Sequence, residues 1–420
     1  MLNIRRRAFS YLAAAAIAAT ALPAGMAAAQ NIVIGVPAAQ SGPVGVADHQ
    51  DWTNGVMLAI EELNGAGGVL GRQLEARIVD LDMMTPEGNV AGIQSLIEGG
   101  AHAIASAFTI IPPPAMDAAA PSGIPYLHGN TSSLNVDLFQ GDKEKYRNIF
   151  QLDVPEVYYG SGFIRFLQDL VASGQWEPKN NKVHIVQGQI SYTQLISQAT
   201  QEAIAASGGA WELGAVTDIQ FPVQDWAPVI RALQDTDAAA IMIDHWVAAE
   251  LAAFAQQYVY DPVPGALVYL QYGPSQPEFL DLAQGAGEGM VWGTVYGVYA
   301  DEQGAAFREK YRAKYPGTMG MVYTGGGYDA VMILAKAWEQ VGNPDDFDAV
   351  GDAIRNISYR GVNGFYRIDP ETNSGISYPN MTDDPEGGQA HLFFQVQDNE
   401  HRIIAPQPFA EVPFAAPPWW

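Results

Sequence analysis

The segment Ala107-Phe108-Thr109-Ile110-Ile111-Pro112-Pro113-Pro114 ends an apolar run and sets prolines where the first turn of a helix accepts them. The unpaired N–H groups and positive dipole end of such a helix favour a carboxylate. Thr109 adds a hydroxyl there, which suits either a ligand or a helix cap, and Ile110 adds apolar surface. Leu127-His128-Gly129-Asn130-Thr131-Ser132-Ser133 follows the next apolar run in the same way, with Asn130 and Thr131 as hydrogen-bonding side chains. Farther on, Gln189-Ile190-Ser191-Tyr192, Asp244-His245-Trp246 and Gln271-Tyr272 each close a strand-like run. Phe108, Tyr192, Trp246, Tyr272 and Tyr323 together would make a box for a flat, aromatic or cationic ligand, with cation–π terms of about 0.5–2 kcal/mol each. Catalytic patterns are missing. The seven histidines form no His-Glu-x-x-His, no Gly-x-Ser-x-Gly elbow occurs, and Thr324-Gly325-Gly326-Gly327-Tyr328-Asp329 lacks the P-loop lysine. Asp80-x-Asp82 has no EF-hand spacing around it. The expectation is a binding protein, with no enzyme activity, cofactor or metal.

These residues need strand ends to carry them. Asn31-Ile-Val-Ile-Gly-Val36 is β-branched, Ser41-Gly42-Pro43 with Gly45 is a turn, and Gln50 to Leu63 has apolar residues at helical spacing. Glycines after Asn64 suit a helix end, and Ala76 to Asp80 makes a second strand. In such β-α-β units ligands sit beyond the carboxyl ends of the strands, which puts the loop from Pro37 to Asp48 and Asp80-Leu81-Asp82 beside a site. The alternation then continues. Strand-like runs at 101–108, 124–128, 183–187, 238–244, 266–272 and 290–298 are separated by helical patterns at 87–98, 157–173, 192–207, 226–234 and 247–258. The fold class is therefore α/β with doubly wound parallel sheets. A chain of this length, 48% apolar, exceeds what one core usually supports, so two domains are expected.

The first unit also resembles a known family. Ser41-Gly42-Pro43, Asn54-Gly55 and the run Ala59-Ile60-Glu61-Glu62-Leu63-Asn64-Gly65-Ala66-Gly67-Gly68-Val69-Leu70-Gly71-Arg72 are similar to the amino-terminal signature of type I periplasmic solute-binding proteins. These are the leucine/isoleucine/valine-binding relatives that serve ABC importers. The resemblance implies two lobes joined by a three-crossing hinge, at Phe150 to Pro155, near Tyr296 to Ala300 and near Gly375. Lobe one would be residues 30–152 with 299–374, and lobe two 153–298 with 375–420. It implies ligand contacts from Thr109, Asn130 and Thr131, and a tyrosine, Tyr192, over the ligand. Where amino-acid binders commonly place an acid against the ligand ammonium, this chain has Gln271 and Tyr272, unless Asp244 takes that role. The implied ligand is an amino acid, branched-chain by family default, or a related carboxylate or amide. Urea or a short amide is the alternative ligand. A periplasmic sensor that presents its closed form to a receptor kinase is an alternative role for the same fold.

Residues 1–29 read as an export signal. Arg5-Arg6-Arg7 precede a short alanine-rich apolar run, and Ala27-Ala28-Ala29 forms a small-residue cleavage site before Gln30. Arg6-Arg7-Ala8-Phe9 fits the twin-arginine pattern. With no cysteine there is no disulfide, thiolate metal site or lipid-anchor residue, so a free periplasmic protein is expected. Loss of the leader, which holds three arginines and no acid, moves the formal charge from −25 to −28. Such a field repels nucleic acid and anionic membranes. The expected partners are a small-molecule ligand and inner-membrane ABC permease subunits, the chain itself being a monomer with no membrane insertion. After a strand at His391 to Val396, five prolines from Pro406 to Pro418 bar regular structure. Phe409, Phe414, Trp419 and Trp420 are expected to clamp the end over lobe two.

Overall fold

The computed structural model describes residues 30–42 and 44–420. Residues 1–29, read from the sequence as an export signal, and Pro43 lie outside the described residues. Two seven-stranded sheets organise the rest. The first runs, edge to edge, Ile368–Asp369, Ser374–Gly375, Ile149–Gln151, Tyr126–His128, Ala103–Ser106, Ile32–Ala38, Leu74–Asp80. The second runs Glu400–Ala405, Leu392–Gln397, Val291–Thr294, Leu267–Gln271, Ala240–Asp244, Lys182–Gly188, Glu212–Ile219. Six strands of the first sheet and five of the second are parallel, and antiparallel additions complete one edge of each. Ile32–Ala38, Ala240–Asp244 and Leu267–Gln271 are buried along their whole length, as helices on both faces require. The edge strand Glu212–Ile219 is exposed or half-exposed until its last residue.

Strand order reverses in each sheet, between Ile32–Ala38 and Ala103–Ser106 in one and between Lys182–Gly188 and Ala240–Asp244 in the other. Those switch points are where an open α/β sheet leaves a crevice at its carboxyl ends. The loops carrying Phe108 and His245 start there, as does the turn into helix Ser191–Ala206 that carries Tyr192.

The chain passes between the sheets three times: after Ile149–Gln151, after Val291–Thr294 and after Ser374–Gly375. At the crossings the segments bond to one another, Gly375 N–H to Asp153 O at 2.9 Å and Ala390 N–H to Tyr299 Oη at 2.6 Å. The strand-like run 290–298 stops early at the second crossing, because Thr294 Oγ1 accepts the N–H of Tyr296 and Val298 N–H turns to Met321 O. Hence 295–298 leave the second sheet for the crossing.

Helix Val46–Gly65 packs on helix Tyr323–Val341, and the close approach depends on glycine. A Cβ on Gly55 would lie 2.0 Å from Thr324 O, and one on Gly327 would lie 2.1 Å from Trp52 O. The glycines after Thr324 thus belong to the helix, which starts at Tyr323 rather than at Ala330. The periodicity also did not mark helix Phe347–Arg355, which packs on helix Tyr323–Val341 and strand Ile368–Asp369, or helix Glu302–Lys314, which lies against Val46–Gly65 through Tyr311 and Asn54.

The proline-rich end is tied down. Trp419 and Trp420 each donate an indole N–H to Ala266 O at 2.9 Å, and Trp420 stacks on Trp176 at 6.3 Å between centroids. Phe414 is buried beside Trp420, while Phe409 packs on Tyr299 at the crossing. Among the described residues no helix is long and apolar enough to cross a membrane.

Candidate functional site

At the switch point of the first sheet, Gly45 takes a φ of 77° and starts helix Val46–Gly65, whose first turns bury Asp48, His49 and Asp51. His49 Nδ1 accepts the N–H of Ala39 at 3.1 Å, and its ring lies 4.9 Å from Phe108. Burial lowers its pKa to about 4, so the imidazole is neutral. The neighbouring loop holds Thr109, whose N–H donates to Asn130 Oδ1 at 2.8 Å while Asn130 Nδ2 donates back to Thr109 O at 3.3 Å. Asn130 therefore clips two strand-end loops together. The Thr109 hydroxyl is buried and has no hydrogen-bond partner among the described residues. It does not cap the following helix: Pro112–Ala119 has Ile111 at its N-cap and no side-chain cap. Ile110 is 38% exposed.

Thr131 sits at φ 36°, and both its N–H and its hydroxyl donate to the carboxylate of Asp153 at the first crossing. Burial drives Asp153 up to about 7 against the pull of those donors. Two residues on, the N–H and hydroxyl of Ser133 hold Glu156 in the same manner. The loop after Tyr126–His128 is thus fastened to the hinge by two carboxylates.

In the second sheet, Gln271 Nε2 donates to Tyr192 Oη at 3.0 Å, and Gln271 Oε1 has no partner among the described residues. Asp244 ends the adjacent strand. It is fully buried, the main chain at Ser197 lies nearby, and neither carboxylate oxygen makes a hydrogen bond of normal geometry among the described residues. Desolvation pushes its pKa well up, and its field reaches Tyr192. His245 points elsewhere, with Nε2 2.9 Å from Glu250 Oε2 and its ring beside Trp226. Trp246 stacks on Phe221 at 6.0 Å.

The lobes meet at Tyr272. Its ring lies 6.3 Å from Tyr323, which is 5.4 Å from Phe108 and 6.1 Å from Trp52. Its hydroxyl donates to Asp48 Oδ1 at 2.8 Å, and Gln276 Nε2 donates to Asp48 Oδ2 at 2.7 Å. Tyr323 Oη reaches back to Gly129 O at 3.0 Å.

Residues 31–382 match the family model described as periplasmic binding protein. The chain belongs to the periplasmic binding protein family. A solved structure from Silicibacter pomeroyi, described provisionally as a branched-chain amino acid ABC transporter, is 32% identical, with a TM-score of 0.86 over 93% of this chain and 100% of that one. The substrate-binding protein LivJ of Streptococcus pneumoniae, solved with isoleucine, shares the fold at 16% identity and a TM-score of 0.70, covering 90% of this chain and 100% of its own. An ABC transporter substrate-binding protein from Sphaerobacter thermophilus does so at 18% and 0.74, over 91% and 99%. No curated protein matches the chain in sequence.

In this periplasmic binding protein, Phe108, Thr109, Asn130, Tyr272 and Tyr323 form one connected group spanning both lobes. The Tyr192–Gln271 pair stands next to it, within the field of Tyr323. Thr131 is committed to Asp153, Ile110 lies at the rim, and His245 and Trp246 pack with Phe221 in a separate group. The residues not singled out from the sequence are Asp48, His49, Gln276 and Asp153. The signal for Asp48 was its loop, marked as lining a site; its acid sits at helix positions otherwise buried, beside Trp52.

Proposed function

We propose that this chain is the exported, periplasmic substrate-binding component of an ABC importer. It takes an amino acid of the branched-chain class between its lobes and presents the closed form to an inner-membrane permease, without transforming the ligand. The observation that carries the ligand class is the Asp244 carboxylate. An ionised carboxylate buried without a partner costs several kcal/mol, and an ammonium group would relieve that cost. Gln271 Oε1, on the neighbouring strand, is a further free acceptor for the same N–H groups. On the other lobe, the free Thr109 hydroxyl and the start of helix Pro112–Ala119 suit the ligand carboxylate. Phe108, Tyr272 and Tyr323 supply the apolar wall. The identity to the Silicibacter pomeroyi protein supports this reading.

Lobe one comprises residues 30–152 and 299–374 and lobe two 153–298 and 375–420, with the three crossings as the hinge. Rotation there separates the strand ends without repacking either sheet. A short amide is the second reading, favoured by Gln271 standing at a strand end where amino-acid binders carry an acid. Calorimetry and thermal shift with L-leucine, L-isoleucine, L-valine, acetamide and urea separate the two. A ligand at 100 times its Kd stabilises the native state by about 2.7 kcal/mol. Stabilisation by the amino acids supports the first reading. Stabilisation by acetamide or urea alone replaces it with the second, and turnover of any of these compounds removes both.

A further inference from the structure

The segment from Tyr272 to Glu278 leaves the second sheet after strand Leu267–Gln271 and lands on the other lobe. Besides the two bonds to Asp48, the main-chain N–H of Met321 donates to Ser275 O at 3.0 Å. Gln276 has one orientation available. Its Oε1 accepts the N–H of Ala248 at 2.9 Å, which turns Nε2 toward Asp48. Tyr272 holds a φ of 33°, a conformation that bulky residues keep only under constraint from their surroundings. Asp48 is 3% exposed, and the groups that bury it come from both lobes.

We propose that Asp48 is the closure latch of this protein, a positioning residue that catches Tyr272 and Gln276 as the lobes meet, keeps the Tyr272 ring over the cleft and makes closure sensitive to pH. The proposal rests on the two-lobed binding reading above but not on the identity of the ligand.

The pH term follows from what surrounds the carboxylate. On its own helix stand His49, neutral, and Asp51, raised to about 8 by desolvation. From the Tyr272 segment come the two donors and the like charge of Glu278, and from the facing helix comes Tyr323. Desolvation is the largest influence and carries Asp48 from 3.8 to about 7 in the closed form. Opening returns the group to water and toward 3.8. Between those values the closed form holds a proton that the open form does not. Closure is easiest at low pH and is opposed as pH rises toward 7, by up to about 10-fold per pH unit. Asp51 bonds Tyr311 and the main chain at Gly320, both on its own lobe, and feels Asp48 and Glu278 only through space, so its share in the pH dependence of closure is the smaller one.

The natural absence of cysteine allows a direct test. Spin labels on Glu87→Cys and Gln189→Cys, both exposed and one on each lobe, report the interlobe distance by pulsed electron resonance with no ligand added. In the otherwise unchanged protein the short-distance population relative to the long one is expected to fall at least 10-fold from pH 5 to pH 8. Asp48→Asn, which stays uncharged, should keep the short distance and lose its pH dependence, and Asp48→Ala should favour the long distance at both pH values. Should Asp48→Ala not fold, Gln276→Ala carries the same expectation of a shift toward the long distance. A distribution that ignores pH, or an Asp48→Asn variant that titrates like the parent, overturns the proposal. Neither result touches the ligand assignment, which calorimetry decides separately.

Discussion

Replacing Thr131 with alanine removes one of two donors that hold the buried Asp153 carboxylate, and the consequence depends on pH. Asp153 has a folded-state pKa near 7 against 3.8 in the unfolded chain. The folded state therefore binds more protons between those values, and stability is highest at low pH and declines as pH rises through 7. At pH 8 the carboxylate is charged, and the lost hydroxyl bond is charge-assisted, worth about 1.5–3 kcal/mol. At pH 5 Asp153 is neutral, and the same bond is worth about 0.5–1.5 kcal/mol. Thr131→Ala should thus cost about 1–2 kcal/mol more at pH 8 than at pH 5. For a chain of this size each kcal/mol moves Tm by about 1 °C. Parallel thermal unfolding scans of parent and variant at the two pH values give the difference directly. An equal loss at both, or no loss at either, would show that Asp153 does not lean on this hydroxyl.

Asp244→Asn should raise Tm at pH 8 by relieving an unpartnered buried acid, while L-isoleucine affinity by calorimetry drops 10-fold or more; unchanged affinity would move the ammonium site elsewhere. Gly55→Ala should destabilise by about 1–3 kcal/mol in urea unfolding, since its methyl would meet Thr324 O at 2.0 Å. Removing Trp419 and Trp420 frees the Ala266 carbonyl and exposes Trp176, so Tm should fall by a few degrees with ligand affinity retained. A truncated chain that melts with the parent would mean that these indoles add nothing to stability.

Strand ends were legible because their neighbours are unambiguous. The β-branched and apolar run to Asp244 and the run to Gln271 can only be buried strands, and the parallel-sheet rule then puts Tyr192, His245 and Tyr272 at one end. Direction beyond the strand end was not legible. His245 turns to Glu250, five residues on, a choice made by helix Ala248–Tyr258 rather than by the strand. Thr131 looked free for a ligand until Asp153, 22 residues away, came to face it. Asp48 meets Tyr272 across 224 positions, a pairing that no local periodicity encodes. The run 290–298 read as one strand because its apolar content is uniform. The Thr294 side-chain bond to Tyr296 and the tertiary bond from Val298 to Met321 show why its second half departs.

Each sheet borrows its last strands from far down the polypeptide. Ile149–Gln151 waits for Ser374–Gly375, and Val291–Thr294 waits for Leu392–Gln397. During synthesis neither half can finish its edge until most of the chain has left the ribosome. Late emergence of both closing segments makes the two halves mature together rather than in succession.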